Sequence, residues 1–222
     1  MALYDHIVAC NKHSFDGRLP FGVGGVQAGW VREDLAARMT RWGDYFKVTD
    51  KGVDILESLA DVEARSKALA EAGAALVVQQ ALPRNLKELC PVMERFGGEV
   101  LMRIDRAWLE PFAVKSFGVH VNGYVPGPYG PELWIGVRSK SREVAPGKLD
   151  NIVAGGLPVG IGLLENVVKE AGEEASVPEF VLPVRRPPSS PQRGPLPARP
   201  PLLRSLLHSL QRLAAKHSLR GC

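Results

Sequence analysis

Long apolar runs are missing from this chain. None of its 222 residues lies in a hydrophobic stretch long enough to cross a bilayer, and the N-terminus lacks the apolar core of a signal peptide. The expectation is a protein without a transmembrane segment, cytoplasmic or equally well of an organelle matrix. Cysteine is scarce as well: Cys10, Cys90 and Cys222 are odd in number and widely spaced. That excludes a disulfide framework and suits a reducing compartment. No Cys or His partner stands at zinc spacing, so Cys10 and Cys90 read as core residues. Acidic residues are nearly absent from one region. From residue 178 on there are eight Lys or Arg and one acidic residue, whereas residues 1–177 hold 20 basic against 23 acidic. The net charge of +4 therefore belongs to the tail. The mildly acidic body gives no ground for nucleic-acid binding, and none is expected. Internal repeats are not visible.

Apolar residues make up 45% of the chain, an ordinary share for one or two domains with a real core. Periodicity predicts a helix over 2–12, a strand over Gly22–Val31 with its glycines marking a turn or bulge, and a helix over Arg32–Trp42. Two short strands, Phe46–Val48 and Val53–Leu56, flank a turn at Asp50-Lys51-Gly52. Asp61 caps a helix to about Ala72, ended by Gly73. A shorter helix is expected over Leu86–Phe96 with Pro91 starting or breaking it, then a strand over Val100–Ile104. Further on, Phe117–Val125 and Leu133–Arg138 read as strands joined by a Gly/Pro-rich loop at 126–131. Asn151–Ala154 is a short strand, and a helix is expected over Gly162–Ala175. The fold class is α+β.

The tail is a different material. Nine of the eighteen prolines lie between Pro178 and Pro201, which predicts disordered or polyproline-like chain. Leu202–His217 is a basic amphipathic segment that could meet a membrane surface or a partner, whose identity is unknown.

The most informative stretch is Gly155-Gly156-Leu157-Pro158-Val159-Gly160, followed by Lys169-Glu170-Ala171-Gly172-Glu173-Glu174-Ala175-Ser176-Val177. Glu170, Glu173 and Glu174 stand at i, i+3 and i+4, so on a helix they share one face. Adjacent carboxylates repel unless a cation sits among them. A hard divalent ion with oxygen ligands answers that repulsion, and Mg²⁺ brings waters and a substrate phosphate. Glutamate clusters on helices are more often solvated faces, but here a glycine-rich loop leads in.

This stretch resembles the signature of Nudix hydrolases, G-x5-E-x7-R-E-U-x-E-E-x-G-U, where U is a bulky aliphatic. Gly155 takes the first glycine, Glu170, Glu173 and Glu174 the three later carboxylates, and Val177 the closing aliphatic. Ile161 stands in place of the first glutamate, Lys169 of the arginine and Ser176 of the second glycine. Lys169 keeps the charge but loses the planar fork. Ser176 carries a Cβ where a left-handed C-cap favours glycine, and Gly172 weakens the helix by about 1 kcal/mol against alanine. Upstream, the runs 117–125, 133–136 and 146–151 resemble a subgroup related to thiamine pyrophosphokinase in fungi and plants. That subgroup carries an extra N-terminal domain of uncharacterised function. Cys10-Asn11, Leu19-Pro20-Phe21 and Gly29-Trp30-Val31 resemble that domain.

The resemblance implies three parts: an N-terminal α/β-mixed domain over 1–112, a partial Nudix α/β/α sandwich over 113–178, and a tail over 179–222. It implies a Mg²⁺-dependent diphosphatase, with Mn²⁺ as the alternative ion. The substrate would be a small organic diphosphate: thiamine diphosphate analogues or damaged forms first, oxidised nucleoside diphosphates second. Glu170, Glu173 and Glu174 would hold metal beside the Gly155 backbone. Glu173 is either a ligand or a general base, and Glu173 and Glu174 are the catalytic candidates. Lys169 would support the helix by pairing. Arg138 and Lys148 are candidates for phosphate contact, although each reads more simply as a surface charge. His120 is expected packed or half-buried, and Trp134 in the core. Only Glu179–Val184 could supply a strand after the helix. The chain thus reads as a Nudix protein cut short after its catalytic helix, with a sheet edge left open. A catalytically impaired binding or interaction module is the alternative expectation.

Overall fold

The computed structural model describes residues 3–10, 12, 14–141 and 145–178. The expected tail, its strand at Glu179–Val184 and its amphipathic segment at Leu202–His217 lie outside the described residues. What is described is mixed α+β and rich in strands. It divides into two compact units. The first takes Met1–Gly118 with Gly156–Ile161, and the second Val119–Gly155 with Gly162–Cys222, described to residue 178.

The first unit opens with helix α1 (Leu3–Cys10). A four-stranded sheet follows, made of β1 (Arg18–Val23), β2 (Val26–Arg32), β3 (Phe46–Thr49) and β4 (Gly52–Ile55), in the order β2-β1-β4-β3. The central pair β1/β4 is parallel, and the flanking pairs are antiparallel. The single strand expected over Gly22–Val31 is instead the junction of β1 and β2. Gly24 and Gly25 have φ of +60° and +79°, and Val23 faces Val26 across them. Two consecutive positive φ values define the tight turn whose twist matches a hairpin, and glycine adopts them without strain. The hairpin expected around Asp50-Lys51-Gly52 forms, with Thr49 opposite Gly52. Thr49 Oγ1 closes its turn by accepting from the Lys51 amide at 3.2 Å.

Helix α2 (Glu33–Met39) runs into a 3₁₀ turn at Thr40–Trp42 and buries Leu35, Ala36 and Met39. Helix α3 (Val62–Val78) starts where the sequence predicts: Asp61 accepts from the Ala64 amide at 2.7 Å. It does not stop at Gly73. That glycine is needed for packing, since a Cβ there would overlap the Trp108 ring. The region 86–96 is not a helix. It forms β5 (Leu89–Met93), antiparallel to β6 (Val100–Asp105), with Pro91 opposite Arg103. Cys90 and Val92 alternate inward at period two while Pro91 takes a position that needs no N–H, and this outweighs the helical reading. The core of this unit gathers Phe21, Val31, Leu35, Met39, Leu69, Leu76, Met102, Ile104 and Phe112. The Phe21 and Phe112 rings lie 5.0 Å apart and tilted. Burial pushes the Cys90 thiol up to about 11, so it stays protonated and inert at neutral pH.

Among the described residues, the second unit holds three two-stranded pairs. β7 (Gly118–Val121) pairs with β12 (Val153–Gly156), β8 (Tyr124–Gly127) with β9 (Gly130–Leu133), and β10 (Gly136–Val137) with β11 (Leu149–Asp150). The long strand expected over Phe117–Val125 breaks at Asn122-Gly123. The expected loop at 126–131 is a hairpin, with Gly127 facing Gly130. Helix α4 (Leu163–Ala175) closes the described part. Its core is small: Val153, Ala171 and Val177, with Val121, Ile152 and Ala175 against them.

Candidate functional site

Helix α4 carries an unusual inward face. Asn166, Glu170 and Glu174 recur every fourth residue, so they lie along one stripe. Asn166 and Glu170 are buried, with Ala171 beside them. Water-facing helices bury apolar stripes, and a stripe that buries a carboxylate needs specific partners. Glu170 has them. Its Oε1 accepts from Lys169 Nζ at 3.1 Å, and its carboxyl lies over the Gly155 backbone. A Cβ at Gly155 would overlap the Glu170 carboxyl group, so glycine there is what admits the side chain. One turn on, Glu174 Oε2 accepts from the Ala154 amide at 3.0 Å. Two carboxylates of α4 thus reach neighbouring residues of β12.

Glu173 points elsewhere. Like Glu174 it is exposed, and it accepts from Lys169 Nζ at 3.2 Å through Oε2. Lys169 therefore bridges Glu170 and Glu173, the pairing its position predicts. The hydrogen bond to Glu170 is the main reason its ammonium is held above the ordinary lysine value, with Glu173 adding to it. As they stand, no three His, Cys, Asp or Glu side chains among the described residues cluster closely enough to hold a metal ion. Two carboxylates are nonetheless what Mg²⁺ asks of a protein, because waters and phosphate oxygens fill its remaining positions. Hard oxygen donors, a buried carboxylate on a glycine and a second one a turn away fit such an ion. Glu170 and Glu174 are the residues that would hold it.

The end of α4 explains one departure from the signature. Ser176 is left-handed, at φ 52° and ψ 33°, and the Val177 amide donates to the Ala171 carbonyl at 3.0 Å. A non-glycine residue occupies the conformation glycine takes most easily. Gly172 faces open space, where a Cβ would meet nothing.

The other sequence candidates fall on strands. Arg138 Nη1 donates to Asp150 Oδ2 at 3.0 Å and holds that carboxyl below its ordinary value. The Arg138 amide donates to the Lys148 carbonyl at 2.9 Å, so both residues extend the β10/β11 ladder, and the Lys148 side chain is exposed. His120 is exposed rather than packed; its Nδ1 lies 3.0 Å from Asn151 Oδ1. Trp134 is 38% exposed, so it is not a core residue. These two expectations are corrected by the shortness of the strand pairs, which cover little of each face.

Sequence reasoning missed two residues. Asn166 stands four before Glu170, a spacing that could have flagged it. Arg106 has no such signal. It follows β6 in the first unit, and its guanidinium lies against Gly156, with Cζ 3.6 Å from where a Cβ would stand.

A family model described as a domain of unknown function, DUF4743, matches residues 2–120, and the chain belongs to that family. It is also similar to named proteins. Nudix hydrolase 24, chloroplastic, of Arabidopsis thaliana is 35% identical over 161 residues, 72% of this chain and 44% of that protein. Nudix hydrolase 20, chloroplastic, of the same plant is 33% identical over 185 residues, 78% of this chain and 50% of that protein. An uncharacterised protein of Saccharomyces cerevisiae is 38% identical over 81 residues, 36% of this chain and 24% of its own length. Both plant alignments are longer than the domain match and run past it. The resemblance to Nudix hydrolases with an extra N-terminal domain is thereby shown. The chain spans about half the length, or less, of the curated relatives it matches.

Proposed function

We propose that this chain is a Nudix-type diphosphatase that converts a small organic diphosphate to the monophosphate and phosphate. The observation that carries the reading is the buried Glu170 carboxylate seated on Gly155, with Glu174 one turn further along the same face. Similarity to two proteins named Nudix hydrolases supports it. A bound Mg²⁺, or Mn²⁺ in its place, would neutralise diphosphate charge and acidify a coordinated water. Glu170 and Glu174 would hold the ion, and Gly155 leaves the backbone bare for close approach. Lys169 bridges Glu170 and Glu173 and neutralises part of their charge. Glu173, where it is not itself a ligand, takes the proton of the attacking water; the water oxygen bonds to one phosphorus as the bridging P–O bond breaks, and the phosphate departs. Arg138 and Lys148 are the phosphate-contacting candidates. Thiamine diphosphate analogues or damaged forms lead the substrate list, and oxidised nucleoside diphosphates follow. The expected home is the cytoplasm or an organelle matrix; the described residues include no helix long and apolar enough to cross a membrane.

A second reading has an observation of its own. Glu173 turns to Lys169, and no three acidic groups converge among the described residues. That favours a binding or interaction module with an impaired site. One experiment separates the two. The purified chain is incubated with Mg²⁺ and a panel of thiamine and nucleoside diphosphates, and phosphate is measured. Release that Glu174→Gln abolishes supports the enzyme. No release, with Mg²⁺ giving no protection against thermal unfolding, supports the module.

A further inference from the structure

We propose that the N-terminal unit anchors the glycine-rich segment 156–161 and that Arg106 is the positioning residue that fixes it. In sequence this segment lies between β12 and α4, yet by contact it belongs with residues 1–118. Two backbone bonds tie it down. The Leu157 amide donates to the Phe117 carbonyl at 2.8 Å, and the Val159 amide donates to the Leu89 carbonyl of β5 at 2.8 Å. Phe117 is itself braced by Phe96, with ring centroids 5.7 Å apart. Between the two ties stands the buried Leu157 side chain.

Arg106 supplies the third point. Its Nη1 donates to both carboxylate oxygens of Glu88, at 3.2 and 3.0 Å, and its own amide donates to the Glu88 carbonyl at 2.8 Å. So held, the guanidinium lies flat enough against Gly156 that Cζ, Nε and Nη2 all fall within 4 Å of a Cβ position. Even a Cβ at Gly156 would meet the guanidinium only at ordinary van der Waals distance, so the segment and the cation lie side by side without crowding. A planar cation with few rotamers left to lose is well suited to hold a backbone segment in one place. Gly160, at φ +86°, then turns the chain toward α4. The family domain that carries no assigned function thereby acquires one here: it sets the conformation of the loop that precedes the glutamate helix. The consequence for turnover rests on the diphosphatase reading; the anchoring does not.

Hydrogen exchange on the full chain tests the anchoring. In Arg106→Ala the Leu157 and Val159 amides exchange about tenfold faster, while the β1–β4 amides keep their protection. Arg106→Lys falls between, because it keeps the charge beside Glu88 and loses the flat face. Should Arg106→Ala fail to fold, Glu88→Gln carries the same comparison. Unchanged exchange at 157 and 159, or an equal rise across β1–β4, overturns the proposal. Where the wild-type chain hydrolyses a diphosphate, Arg106→Ala lowers kcat about tenfold with KM within about twofold. A loosened segment with unchanged kcat removes the positioning role. Absence of turnover in the wild type sinks the diphosphatase reading and leaves the exchange result standing.

Discussion

Gly155 and Glu170 form the pair on which the site is built, and neither makes sense alone. The carboxylate occupies the space that any Cβ at 155 would need. Gly155→Ala forces Glu170 out of its seat or shifts β12, an overpacking that destabilises by about 1–3 kcal/mol. Chemical denaturation checks the cost; a change within about 0.3 kcal/mol would mean the side chain relocates freely. The identity of these residues was legible in the sequence, because the carboxylate spacing and the glycine lead-in are both local. Their separate directions were not. Glu173 turns to Lys169 while Glu174, still exposed, accepts from the Ala154 amide, and only the path of β12 decides that. Arg106 was invisible for the same reason: its target, Gly156, lies far along the chain.

Elements were readable where their signals are local. Asp61 caps α3, and the Asp50-Lys51 turn forms between β3 and β4. Where packing outranks propensity the reading failed. Trp108 needs the bare Gly73, so α3 runs through its supposed stop, and Pro91 sits in a strand. Helix α4 offers a direct test of its two weak positions. Ser176→Gly relieves a left-handed residue and Gly172→Ala fills open space, each stabilising by roughly 0.5–1 kcal/mol. Thermal melts of the two single variants should both move upward; a fall in either contradicts the helix end described above. The β10/β11 pair answers to pH instead. Arg138 holds the Asp150 carboxyl below its ordinary 3.8, so the folded state binds that proton less readily than the unfolded one. The contribution is therefore present above 3.8 and is lost as pH falls below it. Amide exchange at Arg138, referenced to its intrinsic rate, should accelerate on acidification through that range, and Asp150→Asn should remove the step.

At the scale of the molecule the two units are unequal. The first packs an extensive apolar core around Phe21 and Phe112, whereas the second buries Val153, Ala171 and Val177 and leaves Tyr124, Leu133, Ile135, Val137 and Leu149 exposed. Stability follows buried apolar contact, so the second unit should open first. In a denaturant series, amide protection in β7–β12 and α4 should vanish before that in β1–β6; simultaneous loss contradicts this order. The α+β class was legible from alternating patterns, but not the grouping of 156–161 with the N-terminal residues, which no linear reading of domains anticipates. The central claim, that Glu170 and Glu174 together make a site for a divalent ion beside Gly155, is tested most directly by calorimetric titration of Mg²⁺ into the purified chain. The account predicts saturable binding that disappears in the double variant Glu170→Gln, Glu174→Gln. Equal heats from the wild type and that variant would contradict it.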